Sequence, residues 1–274
     1  MTNPTTVVAV ADHYSRVASK ATVRGELRGW EGVRRISNTC KSKLLELLVC
    51  EARMAGLQGE FVDAGSGRGG DVMKWEHAAQ TGKFDRIQVT GIDVAEEAVN
   101  EASRRSSKSI QGFKWVVGNI ADRAIIPSCS GIACHFCLNY LNPIELGAFA
   151  KSAGSALRYG GLITAIFMDA GRLDMAPIGV VCRVGDTSYR WEMRPWVDSV
   201  EHMLSAGEVA SVFSKHGLAR VCHWEGLQEA CSPDDDTLGA LARSRPALVQ
   251  DATPAEQAIA SCYSVMVFRK IVPT

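Results

Sequence analysis

No stretch of this 274-residue chain is apolar for long enough to cross a bilayer as a helix. Neither charge dominates: Lys plus Arg and Asp plus Glu both number 30, so no global basic field draws in nucleic acid, and any polyanion must be met by a local cluster. A nuclear-type basic run, a secretory leader, internal repeats, low-complexity tracts and interdomain linkers are all missing. The nine cysteines are odd in number and follow no regular framework, which predicts free thiols in a reducing, intracellular compartment and leaves nucleus or cytoplasm open. Cys134 and Cys137 make one CxxC, but no second pair accompanies it. An extended strand there would send the two side chains to opposite faces, so no metal site is expected. What remains, 46% hydrophobic and 22% charged, suits one globular domain over residues 1–274, with 1–11 as a tail.

The richest segment is Phe61-Val62-Asp63-Ala64-Gly65-Ser66-Gly67-Arg68-Gly69-Gly70-Asp71: an apolar strand ending in a carboxylate, then a glycine-rich turn opening a helix. Gly65 and Gly67 permit positive φ and leave no Cβ between the main chain and a ligand at the helix N-terminus. Gly65-x-Gly67-x-x-Gly70 also satisfies the dinucleotide fingerprint, with Asp93 closing the next strand where a ribose-binding acid belongs. The carboxylate of Asp63 favours S-adenosylmethionine, because it can hold a cationic methionine end and would repel a pyrophosphate. The alternative is that Asp63 caps the loop and Asp93 starts the helix beginning at Ala95.

Periodicity places a helix at 38–55, with Lys41 in its first turn, and then alternates strand and helix: a strand at 60–64, a helix after Gly70, a strand at 86–92, a helix at 95–105 and a strand at 113–117. A fourth strand at 130–138 precedes a helix capped by Asn142 and stopped by Gly160-Gly161, and a fifth occupies 162–168. Residues 171–198 read as a substrate-shaping insertion containing a hairpin of 180–184 and 187–193 about Gly185-Asp186. Ser205 and Glu208 form a capping box for a helix running to His216, and a sixth strand spans 218–225. A polar connection over 227–260 with a short helix leads to the seventh strand at 262–269. The alternation predicts an α/β fold around a parallel seven-stranded sheet with its last strand antiparallel.

Five ordered segments give the chain a resemblance to the messenger-RNA cap guanine-N7 methyltransferases, from about Ala9 to the C-terminus. They are Asp12-His13-Tyr14-Ser15; Asn38-Thr39-Cys40-Lys41-Ser42; Asp63 to Asp71 with Lys74-Trp75; His135-Phe136 with Asn139-Tyr140, altered from Gln-Phe and His-Tyr; and Tyr263-Ser264-Val265-Met266-Val267-Phe268. The resemblance implies a Rossmann-like class I methyltransferase sheet with helices on both faces, and S-adenosylmethionine as cofactor. It implies that Lys41 meets the cofactor carboxylate, Asp63 and Gly65 the methionine end, Asp93 the ribose, and Asn119, His135 and Phe136 the adenine side, with Gly67 also at the cofactor. Asn119 stands where the family commonly has Asp, and Asp122 is near enough to substitute. The family's proline after the fifth strand is not evident around Met168-Asp169-Ala170.

The substrate so implied is the capped 5′ end of RNA, with other capping enzymes as open partners. Tyr14, Tyr140 and Tyr263 are candidate walls for the guanine, Asn38 lies on the Lys41 helix, and Glu201 is the candidate acceptor for the guanine Watson–Crick edge. Arg68 with Arg104 or Arg105 would meet the triphosphate. Guanine N7 carries a lone pair and no proton, so positioning suffices and no catalytic acid or base is expected. Methylation of another RNA position or a small molecule, or a non-catalytic subunit of a capping complex, are the alternative functions.

Overall fold

The computed structural model describes residues 30–193, 197–221, 236–243, 247 and 250–272. The first helix, α1, spans Glu31–Met54 and buries Val33, Ile36, Cys40, Leu44, Leu45, Leu48, Val49 and Ala52, a three-and-four spacing that makes one apolar stripe. It starts seven residues before the predicted boundary, so Lys41 lies well inside it. The reason is a distant cap: Glu256 accepts the Gly32 amide at 2.6 Å from 224 residues away, satisfying a free N–H of the first turn.

Strands β1 (Glu60–Ala64), β2 (Gln88–Asp93), β3 (Gly112–Val117), β4 (Cys129–His135) and β5 (Leu157–Met168) pair in parallel, with α2 (Val72–Thr81), α3 (Glu96–Ser106) and α4 (Pro143–Ala156) in the connections. The seven-stranded sheet has the order β3-β2-β1-β4-β5-β10-β9, where β9 is Leu218–Arg220 and β10, Tyr263–Lys270, runs antiparallel to both neighbours. Strand side chains alternate between two apolar layers. Phe61, Ala133, Ile166 and Val265 join α1 and α2, whereas Val62, Ile132, Ala165 and Met266 join α4 and α5 (Ala206–Ser214). Each fully buried large side chain contributes about 1.5–3 kcal/mol. The chain order reverses between β1 and β4, and a ligand crevice belongs at the carboxyl ends of such strands.

Several boundaries differ from the sequence expectation. Helix α4 ends at Ala156 and Gly160-Gly161 lie inside β5, where Gly160 has φ +83°; the glycines relieve the backbone within a strand rather than stopping a helix. Helix α5 ends at Ser214, and residues 222–225 of the sixth strand lie outside the described residues. Among its described residues the polar connection holds the helices α6 (Leu238–Arg243) and α7 (Pro254–Ser261). The insertion hairpin forms as β6 (Val181–Arg183) and β7 (Ser188–Met193), and β8 (Val197–His202) adds a third antiparallel strand. Cys137 falls beyond β4, not within it, and the chain turns back so that its Sγ lies 3.1 Å from that of Cys134.

Gly65 and Gly67 both hold left-handed φ, +72° and +52°, for different reasons. A Cβ on Gly65 would lie 2.5 Å from Cys137 Cβ, whereas one on Gly67 would meet nothing within 4 Å. Gly65→Ala is therefore expected to destabilise the fold by at least about 2 kcal/mol more than Gly67→Ala, which bears only the backbone cost. Chemical denaturation of both variants checks this, and equal losses would contradict it.

Candidate functional site

The carboxyl ends of β1, β2 and β4 converge on the 65–71 loop. Its entry is tied down by the Gly65 and Ser66 amides donating to Ile92 O at 2.9 and 3.1 Å. Asp93 accepts from Gly67 N at 2.7 Å and from Ala95 N at 3.0 Å, so it braces the loop and closes the turn that leads into α3, whose N-cap is Ala95. Burial raises its pKa, and those two N–H donors hold the rise back. Asp93 thus stands just before α3 without capping it, and each oxygen keeps a further lone pair for a ligand.

Asp63 is buried and accepts the Trp75 indole N–H at 3.2 Å. Burial, and then the neighbouring Asp71 charge, push it up to about 7. Asp71 sits between Lys41 at 2.9 Å and Lys74 at 2.8 Å. Those two ammonium groups override its burial and hold it below the usual carboxylate range. Burial alone would lower Lys41, but the Asp71 charge reverses this and its pKa is raised. Two carboxylates thus face a lysine whose short contact goes to Asp71, and Asp63 is left in want of positive charge. Neither Asp71, Lys74 nor Trp75 was given a role from the sequence, although all three belong to the quoted motif.

His135 hydrogen-bonds Thr164 Oγ1 through Nε2 at 3.0 Å, and its buried Nδ1 has no partner. Burial and then the Lys41 charge hold its pKa at about 3, so the ring is neutral. Phe136 follows in a left-handed conformation, φ +64°, with its amide on Ile166 O at 2.7 Å. Its ring lies 5.4 Å below Lys41 Nζ and 5.2 Å from the Tyr263 ring, edge to face. Its contacts are therefore with Lys41 and Tyr263.

Asn119 accepts from Ala121 N at 2.9 Å and donates to Glu145 at 3.3 Å, while Asp122 is exposed.

A second cluster adjoins the first. The Tyr263 ring packs edge to face on Trp191 at 6.1 Å. In the small sheet Tyr189 lies opposite Glu201 and Trp191 opposite Ser199, so these four share one face. Glu201 accepts from Tyr189 Oη at 2.8 Å and from Ser199 Oγ at 2.9 Å, and Tyr140 Oη lies 3.5 Å from Ser199 Oγ. Burial raises the Glu201 pKa, and the hydroxyl donors moderate the rise. Tyr189 and Trp191 were not foreseen; their alternation in the predicted hairpin was the available signal.

The remaining candidates are dispersed. Asn38 is exposed on α1, one turn before Lys41. Arg105 and Arg104 both bond Glu101 of their own helix, at 3.0 and 2.6 Å. Arg68 is half-buried, with Nε lacking a partner. Tyr14 lies outside the described residues. Among the described residues no group of three or more His, Cys, Asp or Glu could hold a metal ion, and no helix is long and apolar enough to cross a membrane.

The loop geometry fits a cationic nucleotide cofactor: Gly67 leaves open space above the backbone, Asp93 accepts from its amide, and the Lys41 charge only partly offsets the burial of Asp63. Residues 2–114 match the family model of the mRNA (guanine-N(7))-methyltransferase domain. An mRNA cap guanine-N(7) methyltransferase of Cryptococcus neoformans var. neoformans serotype D (strain B-3501A) is 32% identical over 187 residues, covering 62% of this chain and 25% of that protein. The same-named protein of strain JEC21 is 32% identical over 100 residues, 36% of this chain and 14% of its own. The chain thus spans about a quarter of the length of the first relative. In fold it is similar to Burkholderia thailandensis 1,6-didemethyltoxoflavin-N1-methyltransferase, with a TM-score of 0.54 and 16% identity over 97% of this chain and 89% of that one. It is also similar to a Listeria monocytogenes methyltransferase described as S-adenosylmethionine-dependent, with a TM-score of 0.56 and 14% identity over 88% and 100%.

Because the folded-state pKa of Asp63 lies above the unfolded one, the native protein keeps a proton that the unfolded chain releases. Stability from this group is therefore present at low pH and lost as pH rises to about 7. Asp63→Asn keeps an acceptor for Trp75 and is expected to raise the thermal midpoint at pH 8 but not at pH 4. A lower midpoint at pH 8 would contradict the charge assignment.

Proposed function

We propose that this chain, which resembles the cap guanine-N7 methyltransferases, transfers a methyl group from S-adenosylmethionine to N7 of the guanosine at a capped RNA 5′ end. The observation that carries this reading is the contact run from the glycine loop to a buried acid: Lys41 over Phe136, Phe136 on Tyr263, Tyr263 on Trp191, and the face that Trp191 shares with Tyr189 and Glu201. A cofactor loop alone fits many substrates; a buried carboxylate among aromatic rings beside it fits a flat base offering N–H donors.

S-adenosylmethionine, when bound, supplies an electrophilic methyl on a sulfonium. In the reading offered here Asp63 offsets the positive charge of the methionine end, Lys41 meets the carboxylate, Asp93 takes the ribose hydroxyls, and the loop amides and Gly67 give the backbone approach. His135 stays neutral beside them and Phe136 separates the two chambers. The adenine side belongs to the region of Asn119 and Asp122. Because both polar ends of the Asn119 amide are engaged, its part in that contact is to shape the loop.

For the guanine, Glu201 accepts from the ring N1–H and the exocyclic amino group, with Tyr140 and Tyr263 beside the base. Adenine has an acceptor at that ring position and would face the carboxylate unfavourably. Guanine N7 has no proton to lose, so holding nucleophile and methyl in line supplies the acceleration and no residue acts as acid or base. Arg68 and one of Arg104 and Arg105 serve the triphosphate, after release of Glu101. Asn38 and Tyr14 complete the substrate side.

The direct test is methyl transfer to a short transcript bearing a GpppN end and to the same transcript uncapped. Transfer to the capped RNA alone is expected, and Glu201→Ala should lower kcat/KM about tenfold to a hundredfold while cofactor affinity stays unchanged. Equal methylation of both transcripts would overturn cap recognition. The raised pKa of Glu201 also sets a pH dependence. Only its ionised form accepts from guanine, so kcat/KM for the capped RNA should fall on the acid side at a pH above the ordinary carboxylate range. Glu201→Gln should remove that limb, and an unchanged acid limb would assign it to another group.

A further inference from the structure

Asn139 occupies the position where the resembled family carries His, and it lies in a short 3-10 turn, Leu138–Tyr140, between β4 and α4. It is 2% exposed, and every polar atom of its amide is engaged. Oδ1 accepts from Met168 N at 2.9 Å, and Nδ2 donates to Met168 O at 2.9 Å and to His202 O at 3.2 Å. Both carbonyls and the N–H belong to strand ends that carry the substrate chamber. Met168 is the ladder partner of Tyr263, and His202 immediately follows Glu201. The next residue, Tyr140, reaches Ser199, which itself bonds Glu201.

One side chain therefore ties the end of β5 in the large sheet to the end of β8 in the small one, beside the base-binding acid. An imidazole has two ring nitrogens and cannot reproduce one acceptor and two donors in this geometry, so this connection is particular to the amide. A buried amide with all its hydrogen bonds made is rigid, and losing its donors removes the bonds to the buried Met168 carbonyl and the half-buried His202 carbonyl.

We infer that Asn139 is a positioning residue for guanine selection: it sets where Glu201 stands relative to Tyr263 and the cofactor crevice. This rests on the assignment of guanine to that chamber. Asn139 touches neither ligand. Its role is to fix the register in which the Glu201 carboxylate meets the ring N–H and the exocyclic amino group together.

The test compares the wild-type chain with Asn139→Asp, which has the same shape but no donors, on transcripts capped with guanosine or with inosine, which lacks the exocyclic amino group. The wild type is expected to prefer the guanosine cap by at least about tenfold in kcat/KM. In Asn139→Asp the ratio should fall close to one and the KM for capped RNA should rise, while cofactor affinity by titration calorimetry stays within about twofold. If the added charge prevents folding, Asn139→Ser reads the same ratio, with intact cofactor affinity reporting the folded state. A variant that loses thermal stability yet keeps the wild-type ratio would overturn the positioning role. A wild-type enzyme that binds cofactor but shows no cap dependence is a different failure: it removes the proposed substrate, and this inference with it.

Discussion

The ammonium group of Lys41 is the fixed charge around which the crevice is built. It crosses from the middle of α1 to the end of the glycine loop, where Asp71 meets it at 2.9 Å and Lys74 completes the cluster. An ion pair this enclosed contributes little net stability once the desolvation of both groups is counted, but it fixes where α1 stands against the loop. It also leaves an imbalance. Asp71 takes the close contacts of both lysines, so the buried Asp63, to which the Trp75 indole donates, holds its proton up to about 7. A site that destabilises its own carboxylate in this way favours a ligand bringing positive charge, and this links the electrostatics of the folded chain to the proposed methyl donor.

The proposed guanine site depends on geometry more than charge. Tyr263 lies on the large sheet and Glu201 on the small one, and polar side chains bridge the two. Asn139 bonds both sheets. Asp169 accepts from Gly171 N, Ala206 N and Ser264 Oγ, joining the end of β5 to the start of α5 and to β10. The proposed transfer to an N7 lone pair needs alignment and no proton movement, and a rigid junction of this kind supplies alignment.

Much of this was legible in the sequence where the determining contacts are local. Strand β1 was placed to the residue, because a short apolar run ending in a carboxylate leads directly into the glycine turn. The cap of Asn142 and the box of Ser205 with Glu208 formed as their three-residue spacing requires. The start of α1 was not legible, since the cap comes from Glu256, nor was the contact of Cys134 with Cys137, which depends on the turn taken at Phe136. Among the candidate site residues, Asp63, Gly65 and Gly67 were read from one motif and Asp93 from the end of the next strand, whereas Tyr189, Trp191 and Asn139 acquire their places only when the small sheet folds against the large one. Phe136 illustrates the boundary: the sequence expectation set it inside a fourth strand over 130–138, whereas β4 ends at His135 and the turn at Phe136 directs its ring toward Tyr263.

The central claim is that the methyl donor and the cap guanosine occupy adjoining chambers separated by Phe136. The most direct measurement is a crystal structure with S-adenosylhomocysteine and a GpppG cap analogue. The account predicts the nucleoside on the loop between Asp63 and Asp93, and the terminal guanine beside Tyr263 with its N1 and amino edge on Glu201 and N7 toward the sulfur. A guanine bound elsewhere, or N7 turned away from the sulfur with the Watson–Crick edge off Glu201, would contradict it.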